Sequence, residues 1–170
     1  MRHIISILLQ NEAGALARVS GMFASRGYNI ESLSVAPTVD AAVSRLTLAT
    51  SGSAAVIEQI VKQLGKMVDV VKVVDYADRD HLECELALVK VQIAGASARD
   101  VVECVRSHRG QVLDEADHVR TLQLTGTSTE VDAFVDALGR LATLLEVVRT
   151  GSVALERGAA ALTPVLTPAV

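Results

Sequence analysis

Aromatic residues are nearly missing from this 170-residue chain, which has no tryptophan and only Phe23, Tyr28, Tyr76 and Phe134. A core without large rings must be packed from Val, Leu, Ile and Ala, and half of the residues are hydrophobic. That balance is globular rather than disordered. The same scarcity argues against nucleic acid as a partner, because single strands are held by stacking aromatics along basic stripes. No basic excess compensates: the formal net charge is −4, and the basic residues are interspersed with acids. Cysteine is scarce too, and Cys84 with Cys104 gives no disulfide framework. No stretch approaches the roughly 18–20 apolar residues that span a bilayer. The apolar run at 4–9 is too short for a signal-peptide core, and Glu12 follows almost at once. A cytoplasmic soluble protein is expected, and neither a P-loop nor a dinucleotide fingerprint is present.

What the chain does have is a pattern that occurs twice. In the first half, residues 3–9 read as a strand. Leu16, Val19, Met22 and Phe23 then recur at helical spacing up to about Arg26. Gly27 closes that helix as a left-handed cap. Strands follow at 29–36, stopped by Pro37, and at 42–50. Ser51-Gly52-Ser53 supplies a break and a helix cap. Ile57, Ile60, Val61 and Leu64 form a second helical stripe ending at Gly65, and 68–76 is a valine-rich strand. The order is βαββαβ.

The second half gives the same order, with strands at 86–93, 111–116, 119–124 and 144–149 and helices at 98–108 and from Thr127-Ser128 onward. Ile57, Ile60, Val61, Leu64 and Gly65 correspond to Val131, Phe134, Val135, Leu138 and Gly139, and Arg26-Gly27 corresponds to Arg109-Gly110. Two matches in the right order favour duplication. The fold class is therefore α+β, as two tandem ferredoxin-like units. The divisions are 1–78, 79–157 and an Ala/Thr/Pro-rich flexible tail, 158–170. Units of about 80 residues bury only a little over 60% of their unfolded surface. Their helix-free faces and sheet edges would seek partners.

Two polar elements stand out. Asn11-Glu12-Ala13-Gly14-Ala15-Leu16 lies between the first strand and the first helix, where free N–H groups and the positive dipole end can seat a carboxylate. Gly14 allows close approach of a ligand, Ala13 and Ala15 leave room, and the Asn11 amide can donate or accept. From these residues alone a plain turn with Asn11 as a cap is the better reading. The second element is Tyr28-Asn29-Ile30-Glu31, where an asparagine leads into a strand that does not favour it. The second half has Ala94-Gly95-Ala96-Ser97 and Gln111-Val112-Leu113 at the matching places, without either asparagine. The fold thus needs neither, which favours a ligand site in the first half alone.

These residues carry a resemblance. Ile7-Leu8-Leu9-x-Asn11-Glu12-x-Gly14-Ala15-Leu16-x-Arg18-Val19 is similar to the opening of an ACT domain, a regulatory module of amino-acid metabolism. With the run Arg26-Gly27-Tyr28-Asn29-Ile30-Glu31-Ser32, the chain resembles the small, regulatory subunits of acetohydroxyacid synthase (acetolactate synthase) over about residues 1–157. That resemblance implies an N-terminal ACT domain that binds effector and dimerises. The C-terminal domain would contact the catalytic subunit. It implies valine, or another branched-chain amino acid, bound between two ACT domains of a homodimer. Asn11, Gly14, Ala15 and Leu16 of one chain would face Asn29 and Ile30 of the other. It also implies a large catalytic subunit carrying thiamine diphosphate, Mg²⁺ and FAD, which this chain activates and subjects to feedback inhibition; no cofactor, metal or catalytic residue is implied here.

Other arrangements are weaker. His81-x2-Cys84 with Cys104-x3-His108 superficially resembles a zinc set, but neither pair sits on a tight knuckle. A buried cysteine behaves as a small hydrophobe, and nothing marks either thiol as activated. Glu83 and Glu85 would share one solvent-facing side of a strand, and His3 and His118 are expected to be solvated. The alternatives to the family reading are a free-standing amino-acid-binding regulator and a ferredoxin-like hydrolase or metalloenzyme. An RNA-binding version of the fold would need aromatics on its central strands.

Overall fold

The computed structural model describes residues 1–93 and 97–163. It divides into two compact units, Met1–Leu82 with Ser152–Val170, and Glu83–Gly151. In the first unit β1 (Arg2–Gln10), α1 (Ala15–Ser25), β2 (Ser32–Pro37), β3 (Val43–Ser51), α2 (Ala54–Leu64) and β4 (Val70–Asp75) build an antiparallel sheet of order β2-β3-β1-β4. Ile5, Ile7 and Leu9 of β1 meet Val19 and Phe23 of α1 and Ile57, Ile60 and Leu64 of α2 in one core. Alternate residues of a strand point to opposite faces, yet seven consecutive residues of β1 are buried. The unbroken apolar run at its start is thereby explained, since both faces of this strand are covered.

The second cover is the chain's own C-terminal segment. A ninth strand, β9 (Val153–Glu156), pairs with β5, whose first residues fall in the same unit. Ala154 and Leu162 pack with Ile4, Val74 and Tyr76 on the helix-free side. Arg45 donates to Ser6 Oγ, Tyr76 Oη and the Ala154 carbonyl. Residues 152–157 therefore lie with the first unit, whereas the sequence places them in the second. The expected tail begins at a residue, Gly158, with φ 82°, and its residues beyond Thr163 lie outside the described residues. Short apolar segments cannot reveal by periodicity which sheet they will cover.

In the second unit β5 (His81–Gln92), α3 (Ala98–Ser107), β6 (Gln111–Ala116), β7 (Val119–Gly126), α4 (Ser128–Leu141) and β8 (Thr143–Arg149) repeat the plan, with strand order β6-β7-β5-β8. Val89, Val91, Leu122, Val101, Phe134 and Leu138 form its core. Matching bulges after Leu8 in β1 and after Lys90 in β5 align the copies. Ser53 and Thr127 cap α2 and α4 from equivalent places, and Thr127 forms a reciprocal capping box with Glu130.

One sequence correspondence shifts by a residue. Gly27 has φ 69°, and its structural counterpart is Arg109 with φ 60°, not Gly110. The bonds agree: Gly27 N to Ala24 O and Tyr28 N to Phe23 O match Arg109 N to Arg106 O and Gly110 N to Val105 O. Shared Arg-Gly letters mislead because the left-handed position moved onto an arginine, a conformation that costs roughly 1–2 kcal/mol outside glycine.

Candidate effector-binding site

The first loop begins where β1 ends. Asn11 N donates to Ala42 O at 2.8 Å, and the same residue's Nδ2 donates to Ala41 O at 2.9 Å. Asn11 is thus fastened to the β2–β3 connection and does not cap the helix. Asn11 is exposed, and no partner for its Oδ1 is found among the described residues. The N-cap of α1 is Gly14, at φ 87°, with no side-chain cap. Arg18 N to Gly14 O is the first bond of the helical pattern, at 2.9 Å. Ahead of it Ala15 N donates to Glu12 O at 3.2 Å, which leaves the N–H groups of Leu16 and Ala17 as the first-turn donors without a helical acceptor. A helix N-terminus without a side-chain cap offers donors to a carboxylate, and an unpartnered amide oxygen in the loop before it offers an acceptor to an ammonium.

The other named residues distribute as follows. Ala15 is 1% exposed and packs into the core, so its side chain does not border the open side, which is left to Ala13. Leu16 is exposed, and Ile30 is half-buried against the first core. Asn29 is exposed, and its carbonyl accepts from Thr50 Oγ1 at 2.6 Å. Thr50 sits at the far end of β3 from Ala42. Within one chain, then, the structure brings Asn11, Gly14 and Leu16 together and holds Asn29 and Ile30 apart from them.

Two residues that the sequence left without a role complete the loop. Arg18 Nε donates to Asp69 Oδ2 at 2.5 Å and Nη2 to Oδ1 at 2.7 Å, while Gln10 N donates to the Asp69 carbonyl at 2.8 Å. Hydrogen bonding to Arg18 holds the Asp69 carboxyl below its ordinary range, and Asp69 raises Arg18 in return. A signal was present: an acidic residue inside a valine-rich run asks for a buried partner.

The second unit supplies the control. The bulge alignment sets Ile93 opposite Asn11 and Gln111 opposite Asn29, in place of the Ala94 and Val112 expected from sequence. Ile93 N donates to His118 O at 2.7 Å, the counterpart of the Asn11–Ala42 bond. At Asn11 the backbone link is kept while the polar side chain is gone; opposite Asn29 stands Gln111, itself an amide, so the second unit is a control for Asn11 alone. Residues 94–96 themselves lie outside the described residues.

Residues 5–72 match the model for the small-subunit-like ACT domain of acetohydroxyacid synthase, and residues 84–158 match that for the small subunit of acetolactate synthase. The acetolactate synthase small subunit of Haemophilus influenzae is 48% identical over 93% of this chain and 97% of its own length. This chain belongs to the acetolactate synthase small-subunit family. The isozyme 3 small subunit of Salmonella typhimurium is 49% identical over the same share of each chain. The crystal structure of the Thermotoga maritima small subunit superposes with a TM-score of 0.84 at 33% identity, covering 94% of this chain and 99% of that one. These are the regulatory subunits of acetolactate synthase.

The remaining candidates of this small subunit have structural partners. Cys104 is buried, and burial pushes its thiol up, so it is no activated nucleophile. His108 lies against Phe134 at 5.5 Å, and His81 against Tyr76 at 5.5 Å. Among the described residues no group of three or more His, Cys, Asp or Glu is placed to hold a metal ion. His118 is exposed, but His3 is 9% exposed and bonds Asp75 Oδ2 at 2.8 Å, so it is not solvated as expected. Glu85 likewise is not solvent-facing: it is 4% exposed and takes a two-pronged contact from Arg149, at 2.8 and 2.7 Å. Arg149 also reaches Asp132. Glu83 accepts from Ser128 N at 3.4 Å. The alternation that places Glu85 beside Glu83 cannot foresee an arginine arriving from β8. No helix is long and apolar enough to cross a membrane among the described residues.

Proposed function

We propose that this small subunit activates a thiamine-diphosphate-dependent large subunit, which also carries Mg²⁺ and FAD, and subjects it to feedback inhibition by valine in the cytoplasm. The observation that carries the reading is the α1 N-terminus without a side-chain cap, in a loop whose exposed Asn11 keeps Oδ1 unpartnered among the described residues. Valine's carboxylate sits at the first-turn N–H groups, its ammonium meets Asn11 Oδ1, and its isopropyl group lies beside Ala13.

The other half of the site comes from a second copy of the chain. β2 is the free edge of the first sheet and ends in Pro37, a residue tolerated at edges. Leu33 and Val35 pair with the buried Leu48 and Leu46 yet remain 36% and 41% exposed. An antiparallel β2–β2 pairing about a two-fold axis covers them. It also carries the partner subunit's Asn29 to the end where Asn11 lies. A ligand shared by two chains favours one packing of the dimer over another, and only such a difference in affinity transmits a signal. The C-terminal unit then contacts the catalytic subunit. Calorimetry of the full chain with valine, leucine, isoleucine and serine tests the reading; strong binding of a branched-chain amino acid supports it, and equal or absent heats for all four overturn it.

A further inference from the structure

Both ends of the loop 11–14 are tied to one residue. Asp69 holds the last residue of β1 through its backbone carbonyl and the first turn of α1 through its carboxylate. The carboxylate is 5% exposed, so its ion pair is little diluted by water on that side. Arg18 spends Nε and Nη2 on Asp69, which turns Nη1 the other way. A Cβ built on Gly14 would lie 2.9 Å from that Nη1. The guanidinium therefore spans the gap between Asp69 and the backbone of the helix N-cap.

The second copy separates this arrangement from the needs of the fold. The alignment of the two units sets Asp100 opposite Arg18 and Thr143 opposite Asp69. An aspartate and a threonine form no ion pair, and the unit closes the same strand and helix without one. The pair thus occurs only in the copy that carries the asparagine loop.

We propose that Arg18 and Asp69 are positioning residues that set the strength of effector binding. They fix the α1 N-terminus against the end of β1, and the cation of Arg18 lies beside the carboxylate seat. The inference rests on the valine reading above. Fixing the loop before the ligand arrives spares binding the ordering cost of those residues, and a planar, bidentate arginine does this where a point charge cannot.

The test is calorimetry of the full chain with valine and with valinamide, which has the ammonium and isopropyl groups but no carboxylate. Asp69→Asn is expected to weaken valine binding by about tenfold, the scale of one charge-assisted hydrogen bond, and to narrow the preference for valine over valinamide. Arg18→Lys, which keeps the charge, is expected to lose less than Arg18→Met. If Asp69→Asn does not fold, Arg18→Met, at a half-exposed position, gives the same readout. Valine binding by the variants within twofold of wild type, or equal loss for both ligands, overturns the clamp. Absence of valine binding by the wild-type chain would instead defeat the effector reading, and the clamp with it.

Discussion

Asn11 and Asn29 stand at opposite ends of the same sheet. Asn11 N is bonded to Ala42 and the Asn29 carbonyl to Thr50. At about 3.4 Å per residue the β3 strand between those anchors is roughly 27 Å long. No amino acid is large enough to touch both in one chain. If both asparagines address one effector, two chains must supply them, and this separation turns a sequence motif into a requirement for a dimer.

Gly14→Asp should abolish valine inhibition by filling the carboxylate seat with a tethered carboxylate. The new side chain starts 2.9 Å from Arg18 Nη1, which draws the charge into the seat. The backbone at φ 87° adds strain of roughly 1–2 kcal/mol. Inhibition curves of the reconstituted holoenzyme check this, and a normal valine response would show that the loop is not the site.

The clamp sets a pH window. Hydrogen bonding to Arg18 lowers the folded pKa of Asp69, so its stabilising effect is complete above the unfolded value of about 3.9. It is lost only as pH falls through the lowered folded value. Between about pH 5 and 8 valine affinity should therefore show no dependence traceable to Asp69, and should drop in stronger acid. A titration step near neutrality that disappears in Asp69→Asn would contradict the assigned charge state.

Thiol labelling distinguishes the two cysteines. Cys84 is exposed, and Cys104 is buried with its thiol pushed up. One equivalent of a maleimide should react with the native protein and a second only in denaturant. Rapid native labelling at Cys104 would mean that α3 opens readily.

Glu85→Ala should destabilise the second unit by about 1–3 kcal/mol. That is less than the roughly 3–5 kcal/mol of a fully buried pair, because Arg149 is 35% exposed and retains Asp132. Denaturant unfolding measures the change; an effect near zero would place Glu85 effectively in solvent.

Much of this fold could be read from the chain because both copies state it. The stripe Ile57, Ile60 and Leu64 reappears as Val131, Phe134 and Leu138, and all six are buried. The βαββαβ order of elements along the chain, the helix count and the capping serines and threonines follow from local pattern. The clamp, the Glu85–Arg149 pair and the return of β9 do not, since each joins residues far apart in sequence by charge or by a short apolar segment. The duplicated half was informative in another way. The sequence matched Asn11 to Ala94, while the structure sets Ile93 there; either residue shows that the fold does not need the asparagine.

The central claim is that one effector site is shared between two chains, and mixing two defective variants tests it most directly. Asn11→Ala and Asn29→Ala should each abolish valine binding as homodimers. After subunit exchange at equal amounts, a mixed dimer contains one site with both changes and one with neither. About a quarter of the wild-type sites should then return, given random pairing into symmetric dimers. Recovery of that fraction by calorimetry is the predicted result. No recovery, with mixed dimers shown to be present, would place the whole site within a single chain and contradict the account.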